Sequence, residues 1–334
     1  MSNKLKNIIA EASKVFILTD ENVATFWLPE TEYWLGCKNA VEIVLRPGEQ
    51  YKNLQSVQRI WKTLMKHHAD RNALLINLGG GVITDLGGFA ASTYKRGIRF
   101  INIPTTLLAM VDAAIGGKTG IDFGGGKNQI GTFAEAEGVI VDTVFLETLP
   151  EREICSGLAE MLKYGFIADA NLLNVNLENY QQYISRCGDI KREIVAKDPM
   201  EKGLRKILNF GHTFGHAIES HCLTTDYPLS HGEAVALGML GALWLSVKQL
   251  GLDAAVLQRF ETQLQMVLSE AEINLAEADI EPILSYLALD KKNKDDKPQF
   301  VLLEAVGKPI LEVTLPSVTV KEALQFVINK VSNQ

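Results

Sequence analysis

Up to about residue 149, short β-branched or aliphatic runs alternate with amphipathic stretches. The runs fall at 15–18, 41–45, 73–78, 100–103 and 139–141. Runs this short and this continuously apolar suit strands covered on both faces, and the spacing between them predicts helices such as 56–68. After Thr148-Leu149-Pro150 the period changes. Helical periodicity runs over 152–166, 172–183, 205–222, 232–249 and 253–271, with little strand signal before 299–303. The pattern predicts a parallel α/β domain over 1–150 and a mainly α-helical domain over 151–334.

Length agrees with two cores, since 334 residues lie beyond the ~250–300 at which single cores tend to split. A content of 47% hydrophobic and 22% charged residues is that of a globular chain and excludes wholesale disorder. The net charge of −7 argues against non-specific nucleic-acid binding. Cys37, Cys155, Cys187 and Cys222 contain no C-x-x-C pair, so they are read as reduced thiols. The first apolar stretch carries acidic residues and lacks a signal-peptide pattern, so a cytoplasmic location is expected. The longest uncharged run, 234–247, is 14 residues, short of a bilayer span, and is expected to be a buried helix with no membrane partner. The one biased segment, 291–298, reads as a charged loop.

Candidate chemistry begins at Leu78-Gly79-Gly80-Gly81-Val82-Ile83-Thr84-Asp85-Leu86-Gly87-Gly88, between a strand run and a helical stretch. Bare backbone at a helix N-terminus suits a pyrophosphate, but Thr84 stands where a strict G-x-G-x-x-G has its third glycine, so a tight structural turn is an equal alternative. Lys118 and Lys127 each follow glycine, near Asp112 and Asn128, and favour an anionic ligand over solvated loop lysines. His212 and His216 share a helical face at i and i+4, and four of six histidines (212, 216, 221, 231) fall within 20 residues. That clustering points to a metal. Spacing alone pairs His212 with His216 and leaves His231 equally suited to cap a helix; packed core histidines are the alternative. Glu160 lies on an otherwise apolar helical face, where an unpaired charge is costly. Taken alone, Lys191, Lys197, Arg205, Lys206 and Asn209 read as a solvated face.

Together, G-G-G-V-I-T-D, P-T-T-L-L-A-M-V-D, G-G-K-T-G, G-K-N-Q-I-G, Glu160-x-x-Lys163, L-N-F-G-H-T-F-G-H and S-H-G-E-A-V, in this order, resemble the 3-dehydroquinate synthase family of sugar-phosphate cyclases. The resemblance covers nearly the whole chain. It implies an N-terminal Rossmann-like, NAD-binding α/β domain, a helical metal- and substrate-binding domain, and an active site in the cleft between them. By the resemblance, Glu160, His212 and His231 hold Zn²⁺ or Co²⁺, with His216 beside the metal, which revises the pairing from spacing. NAD contacts are implied at Asp20, Asn22, Glu49, Lys52, Gly80, Gly81, Val82, Asp85, Thr105, Thr106, Lys118, Lys127, Phe145, Leu146, Glu147 and Thr148. Substrate contacts are implied at Arg96, Asp112, Lys118, Asn128, Lys163, Lys191, Arg205, Asn209, His216 and one of Lys291 and Lys292, with Lys118, Asn128, Lys163, Glu201 and His216 as catalytic groups. This overrules the solvated-face reading.

The implied reaction converts 3-deoxy-D-arabino-heptulosonate 7-phosphate, a step of the shikimate pathway, to 3-dehydroquinate and phosphate. NAD is used catalytically, and the enzyme is expected to be a homodimer. Either the substrate's phosphate or a protein group serves as base in the elimination. Rival readings are a cyclase making a cyclitol, a metal-dependent polyol dehydrogenase that releases NADH, and a dinucleotide-binding protein without activity.

Overall fold

Four of the five apolar runs become parallel strands: β1 (Val15–Asp20), β2 (Val41–Leu45), β3 (Leu74–Gly79) and β4 (Arg99–Pro104), in the order β2-β1-β3-β4. They are seen in a computed structural model that describes residues 3–37, 39–124, 126–288 and 297–332. The chain divides into two units, Met1–Leu149 and Pro150–Gln334.

In the first unit, α1 (Asn3–Ala10), α2 (Glu21–Leu35), α3 (Leu54–Lys66) and α4 (Gly81–Thr93) accompany the sheet. β3 is buried at all six positions, as a strand covered on both faces must be. The third Rossmann glycine, which lets helix and strand pack closely, has its counterpart at Gly87 rather than at Thr84. A Cβ there would lie 1.8 Å from the Asn77 side chain of β3. The fifth run is a correction: Val139 makes a single bridge to Asn102 and no strand forms. Val141 is exposed, and Asp142 turns its carboxylate back onto the Val144 N–H, opening a 3₁₀ turn, Thr143–Thr148. A hairpin of β5 (Lys118–Phe123) and β6 (Gly126–Phe133) follows the turn Ala109–Ala113.

In the second unit, α5 (Glu151–Ile167), α6 (Ile184–Lys197), α7 (His212–Cys222), α8 (His231–Leu250), α9 (Ala254–Val267), α10 (Ile280–Ala288) and α11 (Ser317–Val331) accompany one hairpin, β7 (Phe300–Ala305) with β8 (Lys308–Val313). α8 contains the uncharged run and is its centre, packed by α5, α7, α9, α11 and β7. The expected helix over 172–183 is absent. Two 3₁₀ turns, Ala170–Asn174 and Tyr180–Tyr183, stand in its place, because the Asn176 and Asn179 side chains bond nearby backbone N–H groups. The expected helix over 205–222 is broken into a 3₁₀ turn, Leu204–Asn209, and α7, with the chain reversing at Gly211 (φ 79°).

Candidate active site

In a parallel sheet, loops at the carboxyl ends of the strands lie on one edge, and ligands favour the point where strand order reverses. In this sheet that point is between β1 and β3. The edge collects Asp20, the loop carrying Glu49 and Lys52, Gly80 and Gly81, and Thr105 and Thr106. Asp20 caps α2 through the Asn22 and Val23 N–H groups, and burial raises its pKa. Gly80 is the N-cap of α4, and no side chain bonds the helix's first N–H groups there.

Lys52 is the hub of the predicted residues. Its Nζ donates to Asp85 Oδ2 at 2.5 Å and to Asn128 Oδ1 at 2.7 Å. Burial works against its charge, but Asp85, Glu49 and Asp122 hold its pKa well above the ordinary lysine value. Lys127 pairs with Glu49 at 2.5 Å and reaches Asp122 at 3.8 Å. Asp122, which spacing did not single out, accepts the Asn128 N–H at 2.7 Å and so fixes the start of β6, where Gly126-Lys127-Asn128 lie.

Asp112 lies in the turn Ala109–Ala113, Lys118 opens β5 on the surface, and Val82 sits half-buried in the first turn of α4. Phe145 and Leu146 are core side chains, with Trp27 stacked edge-on against Phe145 and donating to Thr148. What the Phe145–Thr148 turn offers a ligand is therefore backbone, Glu147 and Thr148. Arg96 is not brought to the Lys52 cluster of its own unit. It follows the far end of α4, about three helical turns beyond Asp85.

The second unit assembles the other candidates around Glu160, which is wholly buried on α5. Its Oε1 stands 3.4 Å from His212 Nε2 and 3.5 Å from His231 Nε2, and its Oε2 touches the Lys163 ammonium. Neither oxygen makes a hydrogen bond of proper geometry. Burial alone would raise the Glu160 pKa; Lys163 and the imidazoles bring it well below the usual carboxylate range, so it is a carboxylate. Donors about 2.1 Å from one tetrahedral zinc stand roughly 3.4 Å apart, and the spacing of Glu160 Oε1 from the two imidazoles suits a zinc-sized ion.

Among the described residues, His212, His216 and His231 also form a group with ligand atoms within 4.8 Å of one another. His216 is half-buried, its ring centroid 5.2 Å from that of His212. The i, i+4 pairing thus brings His216 into one possible donor set with His212 and His231, and Glu160 Oε1 stands 3.4 and 3.5 Å from the same two imidazoles.

Two contacts fix this register. The Gly232 N–H donates to Ser156 Oγ at 3.0 Å, joining the start of α8 to α5 one turn before Glu160. Glu233 closes a capping box with Ser230 and accepts a two-pronged Arg152 guanidinium at 2.7 and 2.8 Å, anchoring the α8 end that carries His231. The capping alternative for His231 is thereby corrected: Ser230 is the N-cap, and His231 is the first residue of α8 with its Nε2 toward Glu160.

Lys163, Lys191 and Arg205 are 1%, 6% and 1% exposed, so two members of the supposed solvated face are interior cations. Arg205 Nη1 donates to the Pro199 carbonyl, and Asn209 donates to Glu201 at 2.9 Å. Lys197 is exposed and Lys206 pairs with Glu312, as solvated residues do. Lys291 and Lys292 lie outside the described residues. Arg152, Ser156 and Glu219 were missed from the sequence. A buried carboxylate within Ala217-Ile218-Glu219 was the available signal for the last.

Comparison with known proteins accords with these two halves. Residues 42–156 match the family model for the 3-dehydroquinate synthase N-terminal region, and 157–293 match that for its C-terminal region. The 3-dehydroquinate synthase of Parabacteroides distasonis is 40% identical over 322 residues, covering 94% of this chain and 91% of the relative. A 2-deoxy-scyllo-inosose synthase solved with carbaglucose-6-phosphate, NAD⁺ and Co²⁺ superposes with a TM-score of 0.84 at 26% identity, over 97% of this chain and 95% of the other. The 2-epi-5-epi-valiolone synthase of Streptomyces hygroscopicus, solved with NAD⁺ and Zn²⁺, gives 0.84 at 25%, over 99% and 96%. With both family models matched in succession and the curated relative aligned along almost the whole chain, the protein belongs to the 3-dehydroquinate synthase family.

Proposed function

We propose that this chain is a carbon–oxygen lyase that converts 3-deoxy-D-arabino-heptulosonate 7-phosphate to 3-dehydroquinate and phosphate, using NAD catalytically and a divalent Zn²⁺ or Co²⁺. The observation that carries the reading is the buried meeting of Glu160, His212 and His231 beside the interior ammonium of Lys163. When bound, the metal supplies Lewis acidity to a hydroxyl and the ketone made from it, and NAD supplies a reversible hydride acceptor.

Glu160, His212 and His231 would hold the metal. Gly80, Gly81 and Val82 at the α4 N-terminus, with Lys52, Asp85, Glu49, Lys127, Thr105, Thr106, Asp20, Asn22 and the Phe145–Thr148 turn, would hold NAD. Interior Lys163, Lys191 and Arg205 would present positive charge to an anionic, hydroxyl-rich substrate, the guanidinium as a fork for a carboxylate. Asn209 and Glu201 hold each other and orient that set. Half-buried His216 is placed to move protons beside the centre, and Lys118 and Asn128 in the first unit meet the phosphate as a point charge and an amide. Asp112 would join the substrate set, whereas Arg96, standing away from the Lys52 cluster, would not reach it from its own unit.

The same reading takes the enzyme to be a cytoplasmic homodimer. Its four cysteines are buried free thiols, which suits a reducing compartment, and among the described residues no helix is long and apolar enough to cross a membrane. The test is inorganic phosphate release from the heptulosonate phosphate. Release should require both NAD and the metal and yield 3-dehydroquinate; release from another sugar phosphate alone, with a cyclitol as product, would assign a sister activity instead.

A further inference from the structure

His212 and His231 are held by different means. The His212 side chain is 10% exposed, and its Nδ1 lies 3.1 Å from the Phe210 carbonyl oxygen, so packing and a backbone acceptor both fix the ring. The His231 side chain is 32% exposed, at the first residue of α8, so packing covers its ring less completely. A carboxylate holds it instead. Glu219 Oε2 lies 3.2 Å from His231 Nδ1.

Glu219 is 2% exposed on α7, seven residues after His212 and three after His216, so one face of that helix presents all three. An ionised carboxylate can only accept a hydrogen bond. The proton between them therefore sits on Nδ1, so Nε2, which faces Glu160, is the nitrogen left to give up its proton to a metal. A buried acid among Ala217, Ile218 and Cys222 is costly to keep unless it serves such a contact.

We propose that Glu219 is a positioning residue for the metal centre: it fixes the tautomer and ring orientation of His231 and thereby sets metal affinity. This rests on the functional reading above, in which His231 is a ligand. Carboxylate partners of this kind typically change metal affinity by about 10–100-fold when removed.

The test uses the full-length chain stripped of metal, with Zn²⁺ affinity measured by competition against a chromophoric chelator and the Co²⁺ absorption bands recorded. Glu219→Met keeps the volume and removes the acceptor. It should weaken Zn²⁺ roughly 10–100-fold and alter the Co²⁺ bands while leaving NAD affinity near that of the wild type and lowering the metal-free thermal midpoint no further than loss of the His231 charge pair does, as read from His231→Gln. Glu219→Gln, which retains an acceptor oxygen, should fall between the two. Wild-type Zn²⁺ affinity in Glu219→Met would overturn the proposal. If Glu219→Met does not fold, Glu219→Gln decides: weakened Zn²⁺ with altered Co²⁺ bands supports the proposal, and unweakened Zn²⁺ removes it. His212→Ala separates the two levels, because Zn²⁺ binding that survives it would overturn the functional reading and this inference with it.

Discussion

Without metal, His231 faces Glu160 and Glu219, with His212 and Lys163 beyond them. Burial opposes its charge, and the two carboxylates override that, so its pKa is raised from 6.5 to about 10. A folded-state pKa above the unfolded one adds stability that is full below about pH 6.5 and lost as pH rises through about 10. The thermal midpoint of the metal-free chain should therefore fall across that window, and fall less in His231→Gln. Solvent at the partly exposed ring tempers the size of the effect. Because Zn²⁺ must displace the Nε2 proton, its affinity should climb over the same range. Equal affinities at pH 6.5 and 9 would show that the carboxylates do not hold that proton. At this scale some chemistry was legible beforehand: Glu160 stood out as a charge on an apolar face. The burial of Lys191 and Arg205 was not, since a cation bound for a pocket and one bound for water look alike until neighbouring elements cover one of them.

Helix α8 meets α5 where Gly232 lies against Ser156, and a Cβ at 232 would sit 2.1 Å from the Ser156 carbonyl oxygen. Backbone offers no flexible tip to swing aside. Gly232→Ala should cost at least ~1–3 kcal/mol and push His231 away from Glu160, so metal content should fall along with the unfolding midpoint. A variant that keeps full metal content would show that this contact does not set the register. Most elements were visible in the periodicity, because strand and helix burial repeat at 2 and 3.6 residues. The segment 172–183 has the helical period but four asparagines (171, 174, 176, 179) in or beside it, and local side-chain bonds outcompete the helix there.

Hydride taken from substrate must return to it if the overall conversion carries no net redox change, so one bound NAD has to serve many turnovers. With NAD well below the substrate concentration, phosphate release should far exceed total NAD while absorbance of reduced nicotinamide stays low. One NADH per substrate consumed would instead mark a dehydrogenase. The linear order of apolar runs and the joint order of the motifs by themselves determined the α/β-then-helical arrangement, the family and its reaction class, because these are properties of neighbours along the chain. Tertiary structure decided what depends on contacts between elements: that Glu160 Oε1 meets His212 and His231, that Lys52 gathers Asp85 and Asn128, that Asp122 of β5 ties down the start of β6, and that Glu219 steadies His231. Donor distances and burial are set by packing between elements, and no local spacing encodes them.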